Sequence, residues 1–446
     1  MTIAAARTLA IARIAFACAV ALTIAYGQPN AARLFASFAR PRMPAESAGA
    51  GWLGAAVTNL LYAGPLHYGA LVAAGAFGAL SAFALVERRA RLHATVAGAF
   101  GAAVLAALCS LDTLRAGGGS ATLAFAAAVM LLLEDATLLS AFGLGALAML
   151  WCNFEPAGVL APALALVAAV GRTLDRAVTP AARRAWLGAA IATCATLATP
   201  LGFGFPGHAL AALQLAGASA DYARWSPADL APYGYRYGVM SSIVIALGVG
   251  LRGRNAREAL LGAFAFVLAL ASGAFVGVFG IVAAPIVVAA LARRPGGAAQ
   301  NGARATLLRD AGALAALALV AGFAAGARTL PLGPREPYAA IARLARVGGV
   351  HRVFCSDTGW CDAALADGMV VLAGSRIANA PPAVRDAQIT IARVRKTWRT
   401  ELNAHGIDAA VTGANSALAT LLTQSHWTRF ATAGTTVILL RRAPAS

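Results

Sequence analysis

Long apolar runs without a single charged side chain dominate this sequence and restrict the folds that the chain can adopt. Residues 121–133 and 259–291 are two of these runs. Only 12% of the chain is charged and 60% is hydrophobic, whereas soluble domains carry about 25% charged residues. Because a helical span needs about 20 apolar residues, the pattern predicts an α-helical polytopic membrane protein and excludes a soluble enzyme for most of the length.

About eleven spans are predicted within residues 1–327. The first, residues 14–26, has a signal peptide as its alternative, but no small-x-small cleavage site follows it. The run 259–291 is too long for one crossing at 1.5 Å per residue, so we divide it near Ser272-Gly273. A stretch beginning at Trp52 is predicted to lie along the membrane interface. The other predicted spans are residues 68–86, 94–111, 121–133, 136–152, 157–170, 186–198, 237–251 and 311–327.

The arginines predict how the chain crosses the membrane. The net charge is +18, but the arginines lie in short segments between apolar runs and form no basic face, so we exclude a nucleic-acid partner. With the N-terminus in the cytoplasm, sixteen arginines of the membrane region lie on the inner side and six on the outer side. This asymmetry is the one that the positive-inside rule describes. The acidic pair Glu134-Asp135, on the inner side, fits this topology least.

Residues 328–446 differ in kind from the rest, because short apolar runs alternate there with amphipathic helical patterns. Strands are predicted at 351–356, 369–374, 407–411 and 435–440, and helices at 387–405 and 414–424. The sequence therefore predicts two domains, a polytopic transmembrane domain over 1–327 and a small α/β domain over 328–446. An odd number of spans places the second domain outside the cytoplasm.

Carboxylates in the loops of the predicted outer side are the candidates for chemistry, because ionisable groups near membrane depth are costly and often functional. Glu46 lies in the first outer loop, Glu155 lies between two spans, and Asp221 lies in the largest loop, residues 201–236. Such a carboxylate can act as a general base or hold a divalent cation against a phosphate. The alternative is that each is a solvated loop acid.

Cysteine and histidine spacing indicates no metal site. Cys355 and Cys361 lie six residues apart in the predicted extracytoplasmic domain, where an oxidising compartment would permit a disulfide. Two free thiols are the alternative. The six histidines show none of the close His or Cys/His spacings of metal sites. No cofactor is therefore predicted beyond a divalent cation at a loop carboxylate.

Three short stretches between predicted spans carry a resemblance to a known family. Residues 151–156 read Trp-Cys-Asn-Phe-Glu-Pro, residues 199–202 read Thr-Pro-Leu-Gly, and residues 224–227 read Arg-Trp-Ser-Pro. Their order resembles the GT-C superfamily of membrane glycosyltransferases, in particular bacterial members with Trp-x-Asn-hydrophobic-His-Gly, Asn-Pro-x-Gly and Glu-Trp-x-x-Pro stretches. The tail resembles the same proteins at Val353-Phe354, Gly359-Trp360, Gly374-Ser375-Arg376 and Trp427.

This resemblance implies a bacterial inner-membrane glycosyltransferase that takes a sugar from a polyprenyl-phosphate donor on the outer face. Under it, Glu46 is the general base for the acceptor hydroxyl. Arg224 and Arg236 hold the donor phosphate through bidentate contacts, and Trp225 stacks on a sugar or lipid head group. Glu155 and Asp221 are expected to contact the substrate.

Departures from the family pattern favour a second hypothesis. Residues 27–42 contain no Asp or Glu, although the superfamily places catalytic acids there. Glu155 replaces the family's His, Arg224 replaces its Glu, and Gly374-Ser375 replaces the Asp before Gly-Arg. The second hypothesis is a non-catalytic membrane protein of the same fold that binds a lipid, or a protein partner through residues 328–446. A transporter comes third, because no chain of intramembrane acids or inverted repeat is visible.

Overall fold

Ten α-helices precede residue 293 in the part of the chain that the structure describes. The structure is a computed structural model and describes residues 3–26, 52–63, 68–111, 114, 118–175, 179–209, 255–271, 275–292, 336–347, 350–374 and 381–441. The helices are α1 (Ile3–Tyr26), α2 (Trp52–Ala63), α3 (Tyr68–Arg91), α4 (Val96–Ser110), α5 (Gly118–Leu132), α6 (Leu138–Phe154), α7 (Leu160–Leu174), α8 (Pro180–Ala195), α9 (Ala256–Ala271) and α10 (Val276–Ala292). A 3₁₀ turn, Pro156–Val159, leads into α7.

Threonine, serine and proline residues set where several of these helices begin. The Thr95 side chain accepts a hydrogen bond from the Gly98 N–H at 3.3 Å at the start of α4. Thr137 and Ser140 exchange side-chain and backbone hydrogen bonds at the start of α6. Pro180 occupies the first turn of α8, where a missing N–H costs nothing. The threonine and serine side chains satisfy N–H groups that a helix start otherwise leaves without a partner.

One apolar core joins the helices from α1 to α10. Alanine contributes many of its buried side chains, so the helices approach closely. Phe16 of α1 meets both Phe83 of α3 and Phe100 of α4 edge-on, with ring centroids 5.7 Å apart in each pair. The first helix therefore packs as part of the bundle.

The helix lengths agree with part of the predicted span pattern. Among the described residues, Ala5–Ile24 and Pro156–Leu174 are long and apolar enough to cross a membrane, and four more apolar helices are shorter. The division of the run 259–291 is confirmed, because α9 ends at Ala271 and α10 begins at Val276. The predicted spans 237–251 and 311–327 lie outside the described residues, so the count of about eleven and the topology stay predictions.

An ion network ties together α3, α5 and α9 where the chain turns between α5 and α6. The Glu134 carboxylate accepts hydrogen bonds from Arg89 Nε at 2.7 Å and from Arg257 Nη2 at 2.5 Å, and these side chains are at most 11% exposed. Arg172 of α7 donates to the Leu133 carbonyl at 2.7 Å. Glu134, one of the two acids of the turn that fits the predicted topology least, is thus neutralised within the protein.

The C-terminal region, residues 336–441, contains a five-stranded sheet flanked by helices, which confirms its predicted α/β character. The strand order is β2-β1-β3-β5-β4. Strands β2, β1 and β3 are parallel, and β5 and β4 are antiparallel to their neighbours. The elements are α11 (Glu336–Leu344), β1 (Arg352–Cys355), α12 (Thr358–Ala366), β2 (Val370–Val371), α13 (Pro382–Ala392), α14 (Trp398–Ala404), β3 (Ala409–Gly413), α15 (Ala417–Gln424), β4 (Thr428–Ala433) and β5 (Thr436–Leu440).

Alternate residues of each strand pack against helices on opposite faces of the sheet, as the pleat requires. Val353 and Cys355 of β1 are buried with α11 and α12. Phe354 is buried with α13, α14 and α15. The region is therefore a three-layer sandwich with its own core. Its predicted boundary at residue 328 lies outside the described residues and stays a prediction.

The single helix predicted over residues 387–405 is wrong, because the structure has two helices there. Val394 adopts a left-handed conformation with φ 51°. The N–H of Arg393 donates to the Ile389 carbonyl and that of Arg395 to the Thr390 carbonyl, and these bonds close the end of α13. No Gly or Pro marks this break. The sequence prediction also missed α11, α12 and β4.

Cys355 and Cys361 are buried free thiols in contact with each other. Burial raises the pKa of the Cys355 thiol well above its usual range, and the hydrogen bond with Cys361 adds to this rise. The predicted disulfide stays a prediction.

Candidate functional site

Glu155 is the predicted substrate-binding residue that lies in the described part of the chain. It lies between the last residue of α6 and the first residue of the 3₁₀ turn, outside both helices. The other predicted catalytic and binding residues fall on segments outside the described residues: Glu46, Asp221, Arg224, Trp225 and Arg236.

The local sequence places Glu155 at this connection. The residue has extended backbone, φ −160° and ψ 158°, and its N–H donates to the Trp151 carbonyl at 2.8 Å. Pro156 follows, and a proline disfavours helical conformation in the residue before it. The α6 helix therefore ends at Phe154 and leaves the Glu155 side chain at the end of the bundle.

Two neutral donors from different helices hold one oxygen of the Glu155 carboxylate. Trp151 Nε1 of α6 donates to Oε1 at 2.8 Å, and Thr122 Oγ1 of α5 donates to the same oxygen. The Trp151 ring is fully buried and stacks on Phe125, with centroids 5.6 Å apart. Among the described residues, no hydrogen bond is formed by Oε2. The arrangement fixes the carboxylate in position.

Removal from water controls the protonation of this carboxylate. Burial raises the pKa of Glu155 to about 7, although the hydrogen bonds from Thr122 and Trp151 act in the opposite direction. No described cation pairs with Glu155, so burial outweighs the two neutral donors. A carboxyl group of this kind exchanges a proton near neutral pH, as general acids and bases do.

Two glycines allow the chain to pack tightly around Glu155. A Cβ on Gly158 would lie 2.4 Å from the backbone N of Cys152, so the 3₁₀ turn contacts the end of α6 only because residue 158 has no side chain. A Cβ on Gly54 would lie 2.2 Å from the Phe154 carbonyl oxygen. This contact brings α2, the helix that follows the Glu46 loop, to the end of α6.

The chain after α8 also meets this end of α6. Asn153 Nδ2 donates to the Ala198 carbonyl at 2.8 Å. Phe205 and Ala209 pack against the buried Cys152. The stretches 52–63, 151–156 and 198–209, which are far apart in the sequence, therefore meet around Glu155.

Sequence reasoning missed Thr122 and the role of the Trp151 indole. The spacing of Trp151 and Glu155, i and i+4, was the available signal for their contact. Thr122 carried no signal, because its partner lies 33 positions away. Among the described residues, no group of three or more His, Cys, Asp or Glu could hold a metal ion.

Comparison with known proteins finds a solved structure with a similar fold. The structure is similar to the crystal structure of ArnT from Cupriavidus metallidurans bound to undecaprenyl phosphate, with a TM-score of 0.53, 15% sequence identity and coverage of 97% of each chain. No family model matches the chain, and no curated protein matches it. The chain thus shares a fold with ArnT over nearly its whole length, and at this identity the likeness concerns the fold alone.

Proposed function

We propose that this protein is a membrane glycosyltransferase that uses a polyprenyl-phosphate sugar on the outer face of the bacterial inner membrane. The observation that carries the proposal is the fold shared over 97% of the chain with a protein crystallised with undecaprenyl phosphate. The Glu155 carboxylate, held at one end of the bundle, supports it. The shared fold and the position of Glu155 agree with the order of the loop motifs in the sequence.

The proposed reaction is a displacement at the anomeric carbon of the donor sugar. The acceptor oxygen attacks that carbon, its proton passes to the Glu46 carboxylate, and the bond from carbon to the phosphate oxygen breaks. Polyprenyl phosphate leaves with the electron pair. Arg224 and Arg236 hold the phosphate, and Trp225 stacks on the sugar or lipid head group.

Glu155 is proposed to orient the substrate through Oε2. Trp151 and Thr122 occupy Oε1, so a sugar hydroxyl that donates to Oε2 would meet a carboxylate already fixed in position. Asp221 is proposed as a second contact, and with a divalent cation it would bridge to the donor phosphate.

Ligand-induced stabilisation of the purified protein tests the lipid-phosphate site, since a ligand that binds only the folded state raises the unfolding temperature with saturation. Undecaprenyl phosphate should raise Tm, and Arg224→Ala should abolish the rise. Arg115→Ala, which removes another arginine of the predicted outer side, is the matched control and should keep it. Repeating the titration with Mg²⁺ or EDTA tests the cation. No shift with any polyprenyl phosphate contradicts the proposal.

Transfer of a labelled sugar from polyprenyl phosphate tests the catalytic assignment. Glu46→Gln should lower the rate by a factor of about 100 or more, the usual contribution of a general base. Unchanged transfer in this variant contradicts the role of Glu46. Glu155→Gln should raise KM, because its proposed contact holds the substrate in the ground state.

One observation favours a non-catalytic member of the same fold. Residues 27–42 contain no Asp or Glu, so the first outer loop offers Glu46 and no earlier acid. Under this second candidate function, undecaprenyl phosphate still stabilises the protein while no sugar transfer occurs with any donor.

A further inference from the structure

Four basic residues lie in the connection between α13 and α14 and in the first turn of α14. Arg393, Arg395, Lys396 and Arg399 are all exposed, and we call them the basic corner. Residues 387–400 contain no Asp or Glu. The stretch between Asp386 and Glu401 therefore carries four cations and no acid.

The backbone of the basic corner is held in a conformation that its sequence disfavours. Val394 has φ 51°, and a β-branched residue in this left-handed region is a steric outlier. Its side chain packs against the core formed with α13, α14 and α15. Such strain persists only where the surrounding structure fixes it, and it is common at functional sites. The corner is thus a fixed turn with cations on both sides of Val394.

The second half of the corner is anchored to the core. Trp398 is only 8% exposed, and the Arg399 guanidinium lies over its ring, 5.2 Å from the centroid. Arg399 Nη2 also donates to Ser425 Oγ at 3.1 Å. These contacts position one guanidinium before any partner arrives, which lowers the ordering cost of binding.

We propose that the basic corner binds the phosphate groups of anionic phospholipids in the membrane that holds the helical region. Clustered Lys and Arg near a membrane surface are attracted to anionic head groups. The corner belongs to the same chain as the membrane helices, so head groups are present at high effective concentration. A soluble anion would have to compete with them.

The composition of the chain provides a selective probe for this contact. Lys396 is the single lysine of the sequence, so an amine-acylating reagent modifies Lys396 and the N-terminal amine, and mass spectrometry of the peptides separates the two. The full-length protein is placed in nanodiscs of phosphatidylcholine, or in nanodiscs with about a third phosphatidylglycerol. The rate of Lys396 acylation is measured in both.

Phosphatidylglycerol should slow Lys396 acylation by roughly fivefold, because the anionic head groups hold and cover the amine. About 1 M salt should remove most of the protection, since it shortens the Debye length to about 3 Å. As a control, the double variant Lys396→Arg, Arg346→Lys moves the single lysine to an exposed position beside α11, on the other face of the sheet. Its acylation should be the same in both lipids.

Three results would overturn the proposal. The first is equal acylation of Lys396 in the two lipids. The second is equal protection of the relocated lysine, which would indicate a general lipid effect. The third is a result in which soluble heparin protects Lys396 in phosphatidylcholine nanodiscs, while phosphatidylglycerol leaves the acylation rate unchanged. It would assign the corner to a soluble polyanion.

Discussion

Two glutamates at opposite ends of the helical bundle show how differently one side-chain type can be used. Glu134, beyond the end of α5, is paired with Arg89 and Arg257. Glu155, beyond the end of α6, is held by the neutral donors Trp151 and Thr122. The 17 residues of α6 separate the two ends by about 25 Å.

The protonation of the two carboxyls follows their partners. Burial by itself would raise the pKa of Glu134, but Arg89 and Arg257 outweigh it and lower the pKa to about 2. Burial raises the pKa of Glu155 to about 7, and its neutral donors do not reverse this. Paired with cations, Glu134 stabilises the fold, whereas Glu155 keeps a proton equilibrium near neutral pH that is suited to a site.

The largest expected effect comes from breaking the ion network. Glu134→Ala leaves Arg89 and Arg257 without their buried partner, which should cost about 3–5 kcal/mol. The measurement is thermal unfolding in detergent, together with the fraction of monodisperse protein. Asp135→Ala removes an exposed neighbouring acid and should change stability by less than about 0.5 kcal/mol. Equal effects of the two substitutions would contradict the role assigned to the network.

The packing around Glu155 should be the next most sensitive feature. Gly158→Ala places a methyl group 2.4 Å from the Cys152 backbone N and should lower the unfolding free energy by about 1–3 kcal/mol. Gly101→Ala is the matched control, because a Cβ there meets nothing within 4 Å and alanine favours helix. A stable Gly158→Ala protein would show that the turn can move away from α6.

Removing the indole donor should have a smaller effect. Trp151→Phe keeps the ring stacked on Phe125 but removes the hydrogen bond to Glu155, at a cost of about 1–2 kcal/mol in unfolding free energy. Trp186→Phe is the control, because its exposed indole donates to the neutral Thr173 hydroxyl. Similar losses in the two variants would argue against a special role for the bond to Glu155.

The smallest change in stability is expected for Glu155→Gln, but it should alter the pH dependence. The neutral form of Glu155 is favoured in the folded state, so its stabilising contribution is full below about pH 4.3 and is lost as pH rises through about 7. The Tm of the unsubstituted protein should therefore fall between pH 5 and 8 by more than that of Glu155→Gln.

Glu134 should show the opposite sign in the same pH titration. Its contribution is full above the ordinary carboxyl pKa and is lost as pH falls toward about 2. A Glu155→Gln protein whose Tm follows the unsubstituted protein across neutral pH would contradict the difference between the two glutamates.

The sequence predicted those helices and strands that are marked by a pattern within their own residues. The uncharged runs indicated the helices, the split of the run 259–291 was confirmed, and alternating short runs indicated the α/β region. The partners of Glu134 and Glu155 could not be predicted, because Arg257 and Thr122 are distant in sequence and come together only by packing. The break at Val394 was missed because no glycine marks it in the sequence. Tertiary contacts hold the left-handed backbone of this residue.

The ion network also has consequences for the order of assembly during synthesis. Arg89 and Glu134 leave the ribosome first, and Arg257 follows 123 residues after Glu134. At about 5–20 residues per second, the nascent chain holds the two-membered pair for roughly 6–25 s before the third member exists. The docking of α9 therefore comes late and adds a second cation to an ion pair that already exists, and chains that stall before residue 257 would hold the Arg89–Glu134 pair without the contact that ties it to α9.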